Sequence, residues 1–433
     1  MPPLARLKLA LKTSLPRSLF ERLLDRYHLA VALGSAFIFG FPSHNVRVVG
    51  VTGTKGKSST VEMIHAICAA YGWKTAVLDS IREKVHDESR PNTRRMSMPG
   101  RAFIQGFLAR AITAHCDIVI LEMTSEGARQ HRHRGIALDA LVFTNLAPEH
   151  IESHGSFEAY AAAKYELGLQ LVRSSKRPRI MVANADDAAG PRFLTLPVEQ
   201  ALPFSLSATE HHASDQGGTF RFADTEIHTP QPGTFSLENA LAAATLCRAL
   251  GIPVATIARG LGSVTRIPGR AETIDEGQSF TVVVDYAHTP DSLRAIYAAY
   301  TVPGRSLIGV LGSMGGGRDT WKRPAMGTIA AQMCETVILT NEDPCDEDPR
   351  SIIEQIAVGM QGIREPLVID DRRAAIRRAC ELAREKAAHE SVAVIITGKG
   401  TDTSIKGPRG SAVPWSDAGV AREELHALRT KPA

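Results

Sequence analysis

Val46 to Thr60, VRVVGVTGTKGKSST, holds the residues of this chain best suited to chemistry. An apolar run (Val46, Val48, Val49, Val51) predicts a buried strand. Gly53 and Gly56 make a turn, and Lys57, Ser58, Ser59 and Thr60 open a helical pattern. Strand, glycine turn, Lys-Ser and helix in that order build a phosphate cradle, because glycines let backbone N–H groups approach phosphate oxygens and the helix N-terminus adds partial positive charge. Lys57 is placed for the β- and γ-phosphates and the Ser58 hydroxyl for Mg²⁺. The strict Walker spacing asks for Gly where this chain has Val51, so the strand–turn–helix context carries the expectation.

Magnesium on a nucleotide takes one or two protein carboxylates besides phosphate. Glu122 ends the apolar run 117–121, at the strand edge where open α/β sheets bind ligands. His150 follows Phe143-Thr144-Asn145-Leu146, the end of another strand. Lys164 sits mid-helix after Ala161-Ala162-Ala163, whose small side chains let it turn inward. Further on, Arg270 precedes a strand, and Asp285, the Gly312–Arg318 loop, Glu342-Asp343-Pro344 and Gly398-Lys399-Gly400 fall at successive strand ends, which suggests a substrate site. The Gly312–Arg318 loop lacks G-x-G-x-x-G spacing.

The elements that must position these residues alternate. Apolar runs at 46–51, 75–79, 117–122, 140–144 and 179–183 are separated by helical stretches, clearest at 58–71 and 156–172. After a short β-rich excursion at 200–232 and a helix at 236–250, strands at 281–285, 307–311, 336–340, 366–369 and 392–396 alternate with helices at 289–300, 322–333, 349–360 and 371–387. This is α/β architecture: a parallel-sheet P-loop domain at 46–265, then a second α/β domain at 266–433. Residues 1–45 differ, with six basic residues against Glu21 and Asp25. Their leucines predict two short amphipathic helices broken at Pro16, then an apolar run, Leu29 to Phe41, that ends at Pro42. That segment reads as a helical cap on the first domain or as a peripheral membrane contact.

Composition limits the choices. Hydrophobic content of 44% and charged content of 22% are those of a globular protein, and a net charge of +4 does not argue for nucleic acid. Six scattered cysteines without a C-x-x-C pair suggest a reducing cytoplasm. The longest apolar run is too short to span a bilayer.

Taken together, these motifs resemble the Mur ligases, and within that family the branch that adds the third amino acid of the muramyl peptide. The resemblance runs from about Val46 to the C-terminus. It rests on Gly53-Thr54-Lys55-Gly56-Lys57-Ser58, Glu122-Met123-Thr124-Ser125, Gln130-His131-Arg132, Phe143-Thr144-Asn145-Leu146, Ala161-Ala162-Ala163-Lys164, Asn184-Ala185-Asp186-Asp187, Gly269-Arg270, Asp285-Tyr286-Ala287-His288-Thr289-Pro290, Lys322-Arg323-Pro324 and Gly398-Lys399-Gly400. It implies an ATP-dependent amide ligase with a central ATPase domain and a Rossmann-like C-terminal domain, working through an acyl phosphate. It implies that Gly53 to Ser59, Asn239, Arg270 and Asp285 bind ATP. Ser58, Glu122, His150 and Lys164 are implied metal-site residues, with two Mg²⁺ ions, one of them held by a carbamate on Lys164. Ser97, Ser125 and Arg132 are implied contacts to a muramyl-peptide acceptor, and Arg318, Glu342, Asp343, Cys345, Gly398 and Asp402 to the incoming amino acid. A folylpolyglutamate-synthetase-like ligase, a ligase on a lipid-linked or other non-UDP acceptor, and a nucleotide-binding scaffold without activity are the alternatives.

The chain departs from that family's pattern in four places. Only 45 residues precede the P-loop strand, where the family has a UDP-binding domain of about a hundred residues, so the expectation is a reduced dependence on UDP. Pro148-Glu149 replaces the usual residues before the motif histidine. The Asp-Asn-Pro-Arg signature for diaminopimelate reads Glu342-Asp343-Pro344-Cys345. Thr401 and Asp402 stand for His and Glu. Without an arginine fork for the far carboxylate of diaminopimelate, the expected substrate is a basic or small L-amino acid.

Overall fold

The structure is a computed structural model and describes residues 16–94, 96–149, 151–317 and 319–430. The chain divides into two compact units, one of Met1–Gly53, Gly72–Phe143 and Ala161–Pro203, the other of Thr54–Tyr71, Thr144–Tyr160 and Phe204–Ala433.

The first unit carries an eight-stranded sheet: β1 (Arg47–Thr52), β2 (Thr75–Leu78), β3 (Arg82–Val85), β4 (Glu88–Pro91), β5 (Ile118–Glu122), β6 (Ala140–Phe143), β7 (Ile180–Asn184) and β8 (Gln200–Phe204), in the order β4-β3-β2-β5-β1-β6-β7-β8. β2, β5, β1, β6 and β7 pair in parallel, with Val51 opposite Glu122 and Thr52 opposite Phe143. These central strands are buried on both faces, which is why they read as unbroken apolar runs. The β3–β4 hairpin is short and exposed and extends one edge antiparallel. No apolar pattern announced it.

Of the two expected N-terminal helices, the second begins directly after Pro16, as expected, but it is longer: Arg17–Ile38 runs through Leu23 and Leu24 and most of the apolar run, and Pro42 then opens a short 3₁₀ turn. No proline interrupts residues 17–41, so nothing stops the helix. The half of the expectation that falls before Pro16 lies outside the described residues. This helix packs on the helix Arg101–Thr113, with Ala32, Ser35 and Ala36 buried.

The second unit holds a three-stranded antiparallel sheet, β9 (His211–Ser214), β10 (Gly217–Phe222) and β11 (Thr225–Thr229), and a six-stranded sheet of β12 (Glu272–Thr273), β13 (Thr281–Asp285), β14 (Arg305–Leu311), β15 (Thr336–Leu339), β16 (Leu367–Val368) and β17 (Ser391–Thr397), ordered β12-β13-β17-β14-β15-β16. Alternation along the strands divides its core into two layers. Val283, Leu307, Leu311, Val337, Leu339, Ala393 and Ile395 face Leu293, Ile296, Tyr297, Met326 and Ile353. Val282, Val284, Ile308, Val310, Ile338, Val394 and Ile396 face Ala375, Ile376, Ala379, Ala421 and Leu425. A small hairpin, β18 (Ser404–Lys406) and β19 (Ala412–Pro414), follows. A helix at Val254–Gly262, where no element was expected, packs on the helix Lys57–Ala70, and a Cβ on Gly260 would stand 2.5 Å from Ile67 Cα. No helix among the described residues is long and apolar enough to cross a membrane.

Candidate active site

In the first unit the site residues gather at strand ends. Glu122 closes β5, and its carboxylate accepts from Ser80 N–H at 3.0 Å and from the Ser97 hydroxyl at 2.8 Å. Lys164 comes from the helix Phe157–Val172. It is buried, and its Nζ donates to Gly53 O at 2.6 Å. The alanine run therefore does let the lysine turn inward. Ser125 is buried in the first turn of the helix Ser125–Arg129, capped by the Thr124 hydroxyl. Arg132 donates to Met98 O and, at 2.8 Å, to Gln130 Oε1, and burial lowers its guanidinium pKa. Ser97, Glu122 and Arg132 are thus linked through the 96–98 loop.

In the second unit the phosphate loop enters the helix Lys57–Ala70 through Gly56, which is left-handed at φ 78°. Asn239 fills the space against it: a Cβ on Gly56 would lie 2.1 Å from Asn239 Oδ1. The Thr60 hydroxyl donates to that same oxygen at 3.3 Å. Lys57 Nζ donates to Thr54 O at 2.9 Å, within the loop that the sequence marks for phosphate. Lys55 is braced on both sides: Asn145 Oδ1 accepts its N–H at 2.8 Å, and the Thr144 hydroxyl donates to its carbonyl at 2.7 Å. The Ser58 hydroxyl lies 3.4 Å from Arg270 Nη2, and the Arg270 guanidinium lies over the Tyr286 ring. Ser59 follows in the same first helical turn. Asp285 accepts from Ala271 N–H and Ala287 N–H, both at 2.7 Å, and burial raises its pKa. Its oxygens hold the backbone around Arg270 in place.

Glu149, His288 and Lys322 emerge here although sequence reasoning assigned them no role. Glu149 Oε1 accepts from Lys55 Nζ at 2.9 Å and lies 2.9 Å from His288 Nε2. His288 Nδ1 lies 2.7 Å from Tyr286 O, which can only accept, so Nδ1 carries the hydrogen. The Nε2–Glu149 contact then holds one proton between the two groups. Burial and the Lys55 charge lower the His288 pKa to about 4, against the opposing pull of Glu149. Lys322 is buried, which lowers its pKa, and it faces Glu342, Asp319 and Glu149. A polar residue just past a strand end, as His288 is past β13, was the available signal.

At the far strand ends, Lys399 Nζ donates to Asp343 Oδ1 at 2.7 Å, and both side chains are buried. Lys406 N–H donates to the same oxygen at 2.8 Å. Asp343 is thereby neutralised by its own chain. Glu342 differs. It is buried, its pKa is raised by burial, and its Oε2 has no hydrogen-bond partner among the described residues. A Cβ on Gly398 would lie 2.2 Å from that oxygen, so only glycine admits it there. Cys345 is half-buried in a left-handed conformation, φ 55°, and Asp402 lies 3.4 Å from Lys399 Nζ. The buried pair of Arg372 and Asp417, with Arg372 also donating to Thr397 O, fixes the end of β17 before Gly398. His150 and Arg318 lie outside the described residues.

Among the described residues no three His, Cys, Asp or Glu side chains cluster as a metal cage. Nucleotide-bound Mg²⁺ needs none, because phosphates and water fill most of its octahedron. The Ser58 hydroxyl and the Glu122 carboxylate are oxygens of the type it takes from protein, so these residues fit the ion.

Two family models match, the Mur ligase middle domain over residues 51–247 and the Mur ligase glutamate ligase domain over 269–400. The UDP-N-acetylmuramoyl-L-alanyl-D-glutamate–2,6-diaminopimelate ligase of Geobacillus kaustophilus is 34% identical over 408 residues, 91% of this chain and 81% of that protein. The UDP-N-acetylmuramyl-tripeptide synthetase of Roseiflexus sp. is 34% identical over 92% of this chain and 82% of its own length. A solved structure of a UDP-N-acetylmuramoyl-L-alanyl-D-glutamate–2,6-diaminopimelate ligase is similar with a TM-score of 0.60 at 26% identity, covering 89% of this chain and 79% of that one. Mycobacterium tuberculosis folylpolyglutamate synthase shares the fold, with a TM-score of 0.69 at 18% identity over 95% of this chain and 98% of its own. The lysine-bearing loop and the strand-end carboxylates described above lie within the span of these matches, and the chain belongs to the Mur ligase family of ATP- and Mg²⁺-dependent amino-acid ligases.

Proposed function

We propose that this ligase joins an L-amino acid to a carboxylate of a muramyl-peptide-type acceptor in peptidoglycan precursor synthesis, in the cytoplasm. The acceptor carboxylate attacks the γ-phosphorus of ATP, the bond to the ADP oxygen breaks, and an acyl phosphate forms. The amine then attacks the acyl carbon. The tetrahedral intermediate expels phosphate, and the nitrogen loses a proton. Lys57 and backbone N–H groups of the Gly53–Ser59 loop offset charge on the transferring phosphoryl group. Mg²⁺, when bound, supplies further positive charge at those oxygens, with Ser58, Glu122 and His150 as its protein ligands. Asn239 supports the loop, Arg270 and Asp285 border the nucleotide, and Ser97, Ser125 and Arg132 hold the acceptor. In this reading the catalytic unit comprises 46–265 and 266–433, and 1–45 makes a peripheral membrane contact.

The observation that carries the reading is the buried Lys164 against Gly53 O. A buried ammonium repels a metal ion, whereas a carbamate attracts one. The ammonium first gives up a proton, the neutral Nζ adds to the carbon of CO₂, and a second proton leaves the nitrogen; the resulting carbamate anion would hold a second Mg²⁺.

For the amino acid, Glu342 supplies a carboxylate whose Oε2 has no hydrogen-bond partner among the described residues although Arg372, Lys399 and Lys322 lie near it, Gly398 leaves room for it, and Cys345 offers no guanidinium. This supports a cationic L-amino acid such as lysine or ornithine, with Arg318 at the α-carboxylate and Asp402 toward the amino group. Asp343 acts through Lys399. Acceptor-dependent phosphate release across an amino-acid panel, with mass spectrometry of the products, tests the whole reading. Phosphate release that needs no amino acid, or product formation without ATP, would overturn it.

A further inference from the structure

The outward face of the helix Arg17–Ile38 is not a solvated face. Its buried side is Ala32, Ser35 and Ala36. At 100° per residue, Leu19, Leu23, Tyr27, Ala30, Leu33, Phe37 and Ile38 fall on the opposite side, and all seven are exposed, Phe37 at 74% and Ile38 at 78%. Phe41, edge-on to Phe37, extends the patch past the helix end. A helix on the surface of a globular unit ordinarily turns polar residues outward, so an apolar stripe of this length marks an interaction surface.

Charge on the same helix is segregated. Arg26 lies on the exposed apolar side and Arg22 on its flank, whereas Glu21 and Asp25, also exposed, fall toward the packed side, where Asp25 Oδ1 meets His131 Nε2 at 2.6 Å. Three more basic residues, Arg6, Lys8 and Lys12, precede the helix with no acidic residue among them. Apolar and aromatic side chains bordered by arginines on one flank, with a net excess of basic residues over the segment, match the boundary of an anionic bilayer, where acyl chains take the stripe and headgroups take the guanidinium groups. The Asp25–His131 contact ties this helix to the residue preceding Arg132, one of the proposed acceptor contacts.

We propose that this face lies on an anionic phospholipid membrane, with the helix in the plane of the surface. This deepens the membrane contact of the proposed function and does not depend on the ligase chemistry. The partner is the lipid surface, and the consequence is a ligase whose acceptor motif works beside the bilayer.

The test is co-sedimentation of the full chain with vesicles of phosphatidylcholine and phosphatidylglycerol at 3:1, against pure phosphatidylcholine vesicles. The expected result is binding to the anionic vesicles that weakens with added salt. Leu23→Glu/Phe37→Glu and Arg22→Glu/Arg26→Glu are each expected to lower it at least about tenfold. All these positions are exposed, and amino-acid-dependent phosphate release with a soluble acceptor should stay unchanged in both variants, showing that they fold. Equal binding by wild type and both variants, or no binding to anionic vesicles, overturns the proposal. Light scattering that shows a dimer abolished by Leu23→Glu/Phe37→Glu, without vesicle binding, would instead make a second copy the occupant. Loss of phosphate release in the wild-type chain would count against the ligase reading alone.

Discussion

Lys164 Nζ donates to Gly53 O across 111 residues of sequence, at 2.6 Å. A buried amine pinned to the carbonyl that opens the phosphate loop is placed to act at that loop. Lys164→Ala should lower kcat by at least about 100-fold, the loss typical of one electrostatic group at a charged transition state. Millimolar short carboxylates should restore part of the rate, and stripping bicarbonate from the buffer should lower wild-type activity. An alanine variant with full turnover would show that the amine is structural.

Lys57 Nζ reaches Thr54 O, so in this form of the loop its charge is held by a carbonyl. A phosphate oxygen is a stronger acceptor and should displace that carbonyl. Lys57→Ala is expected to reduce amino-acid-dependent phosphate release by about 100-fold or more. Wild-type turnover in the variant would remove the phosphate role.

Gly56 is left-handed, and Asn239 occupies the place a side chain would take. Gly56→Ala combines backbone strain of about 1–2 kcal/mol with a clash against the Asn239 amide. The melting temperature should fall, and the KM for ATP should rise. Asn239→Ala in the same chain should recover part of the loss in stability, since it removes the clash but not the strain. A double variant as unstable as the sum of the singles would mean the two residues are uncoupled.

Glu166 accepts from Arg173 at 2.6 Å and lies 3.1 Å from Arg134. Its pKa is held down to about 2 by the nearness of His133, whose Nε2 lies 3.8 Å away, and by the Arg173 and Arg134 guanidinium groups. A carboxylate depressed in the folded state contributes fully above its unfolded value, near 4.5, and that contribution disappears as pH falls toward 2. Glu166→Gln should therefore cost about 1–2 kcal/mol at neutral pH. Its unfolding curve should also lose less on acidification between pH 4.5 and 2 than wild type. Parallel acid profiles for the two proteins would contradict this.

In the proposed function Cys345 offers no guanidinium for a distal carboxylate, and Asp343 is already paired with Lys399. Lysine or ornithine should be preferred over diaminopimelate in kcat/KM. Glu342→Gln should reduce that preference by removing its carboxylate, and Cys345→Arg should shift it toward diaminopimelate. Higher kcat/KM for diaminopimelate in the wild-type chain would sink the assignment.

Local pattern alone determined much of this protein. The order of the parallel strands and of most helices between them was legible from 46 onward, because doubly covered parallel strands must be apolar throughout and their connecting helices carry their own periodicity, whereas the exposed β3–β4 hairpin and the helix Val254–Gly262 were not. The phosphate loop was equally legible, since glycine, lysine and hydroxyl are consecutive in the chain. Only tertiary structure decided which carboxylates remain available. Asp343 meets Lys399 from 56 residues away, and Glu149 meets His288 from 139 away. Neither pairing has a local signature. The N-terminal helix shows the same division: its apolar residues were visible, but which of them face the core and which face outward depends on where the helix Arg101–Thr113 packs. Periodicity reports that a residue is apolar, and only the packed neighbour decides whether it is buried.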